Sequence, residues 1–324
     1  MKTYKTAAVI PCYKVKNHII DVIAGLSPQI IDLILVVDDK CPEQTGLYVE
    51  KNCVDPRVKI IYHRFNQGVG GAVVSGYKAA LDEKCSIVVK VDGDGQMPIK
   101  IIEELISPII TGKADYVKGN RFFNIDDLLK MPKIRLLGNS ILSFISKMSS
   151  GYWDIMDPTN GFTAISSAVL EKLPFDKISK RYFFESDMLF RLNTYRAVIA
   201  EIPHQSIYED EESNLKIKKI IIPFLYKYSR NFVKRIFYTY FIRNFNVGSV
   251  EIIVGCFLVL IGLVLGGNYW TKSILLDIPA TSGQVMLSAL PLILGFQSLL
   301  AAMQYDVNNT PKQPISKSLL KKND

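Results

Sequence analysis

The chain has little of what thiolate or histidine metal chemistry requires. Its 324 residues include five cysteines, which are scattered and form no C-x-x-C pair, and three histidines, which form no HExxH motif and are interpreted as structural. An odd, scattered cysteine set predicts neither a zinc site nor a disulfide framework, and it is typical of a reducing compartment. We also expect no secretory signal, because residues 1–5 lead directly into a predicted strand.

Acidic residues are absent from one stretch of the chain. Residues 213–247 carry eight basic side chains and no aspartate or glutamate, although the net charge of the whole chain is only +8. The stretch precedes two long apolar runs, so a membrane surface explains its charge better than nucleic acid does. Residues 220–228 and 232–245 mix aromatic and cationic side chains. They predict two amphipathic helices in the membrane interface, with a helical hairpin on a soluble domain as the alternative.

Two uncharged runs, residues 252–269 and 285–305, are long enough to cross a bilayer core. Lysine and arginine residues flank the two runs on both outer sides, whereas the connecting residues 271–284 contain a single basic residue, Lys272. The positive-inside rule therefore predicts two transmembrane helices in the cell (inner) membrane, with both termini cytoplasmic. The predicted domains are a catalytic domain (1–212), interface helices (213–247), a transmembrane pair (248–305) and a cytoplasmic tail (306–324).

The first two-thirds of the chain alternates predicted strands and helices. Short β-branched runs predict strands at 6–10, 33–37, 58–62, 87–91 and 116–118, with helices at 71–81, 99–110, 136–148 and 185–192. This alternation is typical of an α/β domain with a mostly parallel, doubly wound sheet.

A pair of acids follows the fourth predicted strand. Asp92-Gly93-Asp94-Gly95-Gln96 places two carboxylates and an amide at the tip of that strand, and open α/β sheets bind ligands at the carboxyl ends of their strands. Oxygen ligands of this kind suit a hard divalent cation, Mg²⁺ or Mn²⁺, that holds a diphosphate. The alternative is an acidic turn, because Asp and Gly are common turn residues.

Other strand tips also carry polar residues. Pro11 and Tyr13 lie at the tip of the first strand, and Asp38 and Asp39 lie at the tip of the second. These acids suit hydrogen bonding to a nucleoside, and Tyr13 suits contact with the base. The glycines of residues 66–72 allow a phosphate to approach a helix N-terminus. The segment matches neither the dinucleotide-binding fingerprint nor the P-loop.

The order of these motifs over residues 7–210 resembles glycosyltransferase family 2, which has the GT-A nucleotide-sugar-binding fold. The two apolar runs narrow the resemblance to polyprenyl-phosphate glycosyltransferases. The resemblance implies a nucleotide-sugar donor, a metal site at Asp92, Asp94 and Gln96, a basic contact to the acceptor phosphate at Arg135 and a catalytic carboxylate at Asp157. The implied donor-binding residues are Pro11, Tyr13, Asp38, Asp39, Gly70, Asp92, Gly93, Asp94 and Arg121.

We interpret the chain as an inverting enzyme that transfers a sugar from a nucleotide-diphosphate sugar to a polyprenyl phosphate, giving a polyprenyl-phosphate monosaccharide for cell-envelope glycan modification. A UDP-sugar is favoured over GDP-mannose as the donor. Its partners are the nucleotide sugar, the polyprenyl phosphate and membrane lipid, with no nucleic acid and with homo-oligomer formation left open. Lys14 and Lys40 depart from the family pattern, and these departures concern the identity of the donor more than the class of reaction. Glu185 or Asp187 is the alternative acid to Asp157. The alternative classes are a processive polysaccharide synthase, a sugar nucleotidyltransferase and a non-catalytic membrane scaffold.

Overall fold

The computed structural model describes residues 4–123, 133–205 and 217–320. The chain divides into two compact units. The sheet unit comprises Met1–Phe232 and Pro311–Asp324, and the helical unit comprises Val233–Thr310. The sheet unit therefore contains a C-terminal segment that the sequence analysis assigned to a separate tail.

One seven-stranded sheet, of order β3-β2-β1-β4-β6-β5-β7, forms the centre of the sheet unit. All pairings are parallel except those of β6, which runs antiparallel between β4 and β5. The strands are β1 (Thr6–Cys12), β2 (Leu33–Asp38), β3 (Val58–Tyr62), β4 (Ile87–Lys90), β5 (Tyr116–Asn120), β6 (Thr163–Ser166) and β7 (Ile199–Pro203). The mostly parallel α/β fold is confirmed, and so are the five predicted strands. Sequence analysis missed β6 and β7.

Helices cover both faces of this sheet. Among its described residues, the α-helices of the sheet unit are α1 (Ile19–Gly25), α2 (Thr45–Asn52), α3 (Val69–Asp82), α4 (Ile102–Ile110), α5 (Lys133–Ser150), α6 (Ser167–Leu170), α7 (Phe184–Thr194) and most of α8 (Ile217–Ile236). Successive residues of β1 point into different cores: Ala7 and Val9 pack with α3, whereas Ala8 and Ile10 pack with α1 and α4. Strands buried on both faces read as continuous apolar runs, which is why they were predictable.

Residues 315–319, called the C-terminal strap below, pack against the sheet unit. Asp115, at the start of β5, is fully buried. Its carboxylate accepts hydrogen bonds from the backbone N–H groups of Ile315 (2.9 Å), Ser316 (2.7 Å) and Val198 (2.8 Å). Leu319 N–H donates to the carbonyl of Ile110 at 2.8 Å. The strap therefore packs beside the amino end of β5.

The helical unit contains α9 (Val247–Leu276) and α10 (Ser282–Asn308). Both helices are long and apolar enough to cross a membrane, and only 22% and 17% of their most apolar windows are buried. That exposure is unlike the burial of a soluble core helix. Gly255 and Gly262 of α9 pack against Leu299 and Leu292 of α10, because small residues allow close helix approach.

The basic stretch forms one helix where two were predicted. Helix α8 runs without interruption from Ile217 to Ile236 and continues as a π-helix over Phe237–Arg243. The predicted break between residues 228 and 232 is therefore absent. Buried Arg235 donates to the carboxylate of Asp306 at 2.6 and 2.9 Å, and the Tyr240 hydroxyl donates to the same carboxylate at 2.6 Å. This cluster joins the end of α8 to the end of α10 within the helical unit.

We expect Asp115→Ala to lower the free energy of unfolding of the sheet unit by at least about 2 kcal/mol, because it leaves buried N–H groups without acceptors. Thermal unfolding of the detergent-solubilised protein measures the change. The exposed Asp82→Ala is the matched control and should leave the transition unchanged. An unaltered transition in Asp115→Ala would show that the strap contributes no stability.

Candidate active site

A cavity of about 940 Å³ opens in the sheet unit at the carboxyl ends of β1, β4 and β5. Most predicted donor-binding residues line it, as the topology of an open α/β sheet leads one to expect. The lining residues that matter here are Pro11, Tyr13, Asp39, Gly68, Lys90, Asp92, Gly93, Asp94, Gln96, Arg121, Asn160, Gly161, Arg181, Glu185 and His204. Asp38, Gly70 and Asp157 do not line the cavity.

The two aspartates at the tip of β2 have different roles. The Asp38 carboxylate accepts from the backbone N–H groups of Cys41 and Gly46, both at 2.7 Å, so it orders the loop before α2. A nucleoside contact was predicted for Asp38, but its carboxylate is occupied and buried away from the cavity. Asp39 lines the cavity and accepts from the N–H groups of Gln67 (2.8 Å) and Gly68 (2.7 Å). Asp39 therefore holds in position the glycine-rich segment of residues 66–72, called the glycine loop below.

His63 lies between the Asp39 carboxylate and helix α3. One ring nitrogen lies 2.7 Å from the Asp39 carboxylate, and the other lies 2.8 Å from the hydroxyl of Ser75 on α3. This is the structural role that sequence analysis assigned to the histidine. His204, also interpreted as structural, in fact lines the cavity and lies 2.8 Å from the amide of Asn160.

The predicted role of Gly70 is also corrected. A Cβ at this position would collide with the Ser179 carbonyl and with Phe184. Gly70 is therefore required for close packing of α3 against the loop before α7. Gly68, with φ of +86°, is the glycine of this loop that reaches the cavity.

The acid motif after β4 presents its oxygens to the cavity. The Asp92 side chain is 31% exposed, and its Oδ1 lies 2.8 Å from the ammonium of buried Lys90. Asp94 accepts from the Gln96 N–H at 3.0 Å, and Gly95 with φ of +80° makes the turn between them. Among the described residues, no group of three or more His, Cys, Asp or Glu side chains is arranged so that it could hold a metal ion. Two carboxylates and one amide oxygen nevertheless form a donor set that fits Mg²⁺ or Mn²⁺.

Asp157 forms a buried ion pair with Arg121. Its carboxylate, fully buried, accepts from Arg121 Nε at 2.7 Å and from Nη2 at 2.9 Å. Although burial raises the pKa of Asp157, Arg121 outweighs that effect and the pKa is lowered. The carboxylate thus stays ionised and holds the guanidinium, which lines the cavity. The geometry favours a positioning role for Asp157 over the predicted direct catalytic role.

Glu185 and Asp187, the predicted alternatives to Asp157, lie in different environments. Asp187 is buried and accepts from Ser179 N–H (2.8 Å), Arg191 (3.0 Å) and Asn231 (3.1 Å), so its role is structural. Glu185 lines the cavity, with its carboxylate 3.5 Å from the ammonium of Lys90. Arg135 lies in the first turn of α5, but its side chain is outside the described residues, so its predicted role stays a prediction.

Sequence analysis did not identify Lys90, Lys118, Arg181 or Glu201 as site residues. Glu201 on β7 accepts from the backbone N–H groups of Met156 and Asp157, at 3.0 and 2.9 Å. Lys90 and Lys118 lie within strands. The sequence signal that could have identified them was a single charged residue beside apolar ones.

A family model described as "Glycosyl transferase family 2" matches residues 7–174, which is more than half of the chain. The chain belongs to glycosyl transferase family 2. Because the match begins at β1 and extends past β6, it includes the acid motif, Arg121 and the loop between α5 and β6.

Curated relatives of this glycosyltransferase match more than half of the chain. The UDP-N-acetylglucosamine–dolichyl-phosphate N-acetylglucosaminyltransferase of Methanococcus voltae is 31% identical over 62% of this chain and 85% of its own length. The undecaprenyl-phosphate mannosyltransferase of Micrococcus luteus is 29% identical over 52% of this chain and 70% of its own length. The polyprenol monophosphomannose synthase of Mycolicibacterium smegmatis is 28% identical over 62% of this chain and 77% of its own length. The resemblance to polyprenyl-phosphate glycosyltransferases is thus confirmed.

A solved structure supports the fold. Glucosyl-3-phosphoglycerate synthase from Mycobacterium tuberculosis, in complex with UDP, is 17% identical and superposes with a TM-score of 0.54. The match covers 72% of this chain and 80% of that protein. Another crystal structure of the same synthase contains Mn²⁺ with UDP and phosphoglyceric acid. At this identity the similarity establishes the GT-A fold alone.

If Asp157 positions Arg121, Asp157→Asn should lose less activity than Arg121→Met. We expect roughly a 10-fold fall in the rate of sugar transfer for Asp157→Asn and at least about 100-fold for Arg121→Met, the range for losing one charged contact. Initial rates at saturating substrate, with the exposed Arg64→Met as control, measure both. A loss for Asp157→Asn greater than that for Arg121→Met would instead identify Asp157 as the catalytic carboxylate.

Proposed function

We propose that this glycosyltransferase moves the sugar of a UDP-sugar to the phosphate of a polyprenyl phosphate at the cytoplasmic face of a membrane. The observation that carries the proposal is an exposed apolar face beside the cavity. Leu137, Ile141 and Phe144 of α5 are 60%, 53% and 49% exposed, at the i, i+4 and i+7 spacing of one helix face. An enzyme with a wholly water-soluble acceptor has no need of such a surface.

An apolar groove continues from this face toward the cavity. It has a volume of about 360 Å³ and is lined by Phe122, Leu136, Ser140, Phe144 and Met156, among others. Phe122 and Asn139 line both the groove and the larger cavity. The apolar chain of a polyprenyl phosphate can therefore follow α5 while its phosphate enters the cavity. The names of the polyprenyl- and dolichyl-phosphate relatives support the same acceptor class.

The donor assignment rests on the relative from Methanococcus voltae, whose name specifies UDP-N-acetylglucosamine. GDP-mannose is the second candidate, because other relatives are named as mannosyltransferases. In either case the cavity is lined by the cationic groups of Lys90, Arg121 and Arg181, which suits a ligand that carries two phosphates.

In the proposed reaction, a phosphate oxygen of the acceptor attacks the anomeric carbon of the sugar. A new carbon–oxygen bond forms, the bond from that carbon to the diphosphate oxygen breaks, and the nucleoside diphosphate leaves with the bonding electrons. Arg121, held by Asp157, faces the charge that develops on the leaving group. A divalent cation held by Asp92, Asp94 and Gln96 would neutralise the same charge when bound. The acceptor phosphate is already anionic near neutral pH, so a strong general base is not required.

A test of the function incubates the purified protein with radiolabelled UDP-N-acetylglucosamine, UDP-glucose or GDP-mannose and a polyprenyl phosphate. We expect label from a UDP-sugar in the lipid extract and none with glycerol 3-phosphate as the acceptor. Asp94→Asn is the inactive control. Transfer from GDP-mannose alone would overturn the donor assignment, and transfer to glycerol 3-phosphate alone would overturn the acceptor assignment.

The proposed orientation follows from the path of the chain. Residues before 233 and after 310 belong to one compact unit, so a helical pair that crosses the membrane must return the chain to its starting side. The excess of basic residues outside the pair supports a cytoplasmic location for that side.

We expect a cysteine at Ala280, between α9 and α10, to react with a membrane-impermeant maleimide in intact cells. Glu43→Cys, exposed on the sheet unit, should react only after permeabilisation. The opposite labelling pattern would reverse the orientation, and protection of both sites in intact cells would contradict two membrane crossings.

A further inference from the structure

Two buried lysines lie in the same row of the sheet. Lys90 is the last residue of β4, and Lys118 is in the middle of β5. Both pair in register with Thr163 of β6, which lies between the two strands. The side chains are 1% and 0% exposed. Two charged side chains therefore lie on either side of Thr163, at positions where a central strand normally carries apolar residues.

Both ammonium groups donate to the loop between α5 and β6 (residues 151–162, called the α5–β6 loop below). Lys118 Nζ donates to the carbonyl of Asn160 at 2.7 Å, and Lys90 Nζ donates to the carbonyl of Gly161 at 3.1 Å. These carbonyls are consecutive. A Cβ at position 161 would overlap the Lys90 ammonium and approach Asp92 Oδ2 at 3.0 Å. The residue at 161 must therefore be small for the lysine to reach the loop.

Packing alone does not account for these lysines. Transfer of a charge from water into a protein interior is costly, and well-packed apolar residues usually serve stability as well or better. Among the described residues, no carboxylate forms an ion pair with Lys118, and burial lowers its pKa to about 8. The energetic cost of burying Lys118 is thus only partly offset, which favours a role other than stability.

We propose that Lys90 and Lys118 are positioning residues that fix the α5–β6 loop and so set Arg121 and Asp92 relative to each other. One chain of contacts connects Lys118 to Arg121, and another connects Lys90 to Asp92. Lys118 holds Asn160, whose amide donates to Asp157 at 3.3 Å, and Asp157 holds Arg121. Lys90 links the carbonyl of Gly161 to Asp92. The two lysines thereby link Arg121 and Asp92, the groups that face the diphosphate. This inference rests on the proposed function.

The two lysines differ in one respect that can be tested. Lys90 lies against Asp92, so its charge opposes binding of a divalent cation there. Lys118 contacts no predicted metal ligand. Lys90→Met should therefore bind Mn²⁺ more tightly, by roughly 10-fold, while transfer slows. Lys118→Met should leave Mn²⁺ affinity within about 2-fold of the wild type but lower kcat at least about 10-fold, with little change in the KM for the donor.

The experiment uses the full-length protein in detergent with Trp270→Phe, so that Trp153 in the α5–β6 loop is the sole tryptophan. Mn²⁺ titration followed by electron paramagnetic resonance gives metal affinity without substrates. Acrylamide quenching of Trp153 reports the freedom of the loop and should increase in Lys118→Met. Transfer rates at saturating donor give kcat. Lys172→Met, an exposed position, is the matched control and should change none of the three readouts.

Unchanged kcat and unchanged quenching in Lys118→Met would overturn the positioning role of Lys118. An unchanged or weaker Mn²⁺ affinity in Lys90→Met would overturn the link to Asp92. Failure of either variant to fold would assign that lysine to stability and also overturn the proposal, since methionine matches its length without the buried charge. If the wild type transfers no sugar, the proposed function fails, but the Mn²⁺ and quenching measurements still decide the role of the pair.

Discussion

Buried carboxylates that accept backbone N–H groups hold the loops of the sheet unit in place. A carboxylate without water must find donors, because an unsatisfied buried charge costs several kcal/mol. Asp39 fixes the glycine loop, Asp157 fixes Arg121, and Asp115 fixes the C-terminal strap. Asp39 and Asp115 lie at strand ends, where loop N–H groups are not used by the sheet, and Asp157 lies in the α5–β6 loop. The shape of the cavity depends on these fixed loops, so acids that do not touch substrate still determine where substrate-binding groups lie.

The sequence was sufficient for the strands that are continuous apolar runs, since burial on both faces leaves a clear pattern. It was insufficient for β6 and β7. Strand β6 (Thr163–Ser166) contains one large apolar residue, and β7 (Ile199–Pro203) is interrupted by Glu201 and ends in proline, so neither is a continuous apolar run. The antiparallel direction of β6 also has no local signal, because it depends on pairing with β4 and β5.

The same distinction applies to the site. Position at a strand tip predicted that Asp39, Asp92 and Asp94 would line one cavity. It did not distinguish Asp38 from Asp39, because adjacent residues point in opposite directions and only the tertiary structure shows which carboxylate reaches the cavity. The pairing of Lys90 and Lys118 required knowledge of the sheet register. The family resemblance predicted the importance of Asp157, whereas its full burial against Arg121 was visible only in three dimensions.

The C-terminal strap has a consequence for the order in which the protein is made. Residues 315–319 follow both apolar helices in the chain, yet Asp115 depends on them for two of its backbone donors. During synthesis these two hydrogen bonds to Asp115 cannot form until α9 and α10 have been translated. A chain interrupted before the strap would leave Asp115 without both of these donors. Completion of the sheet unit thus reports that the whole helical pair has been made.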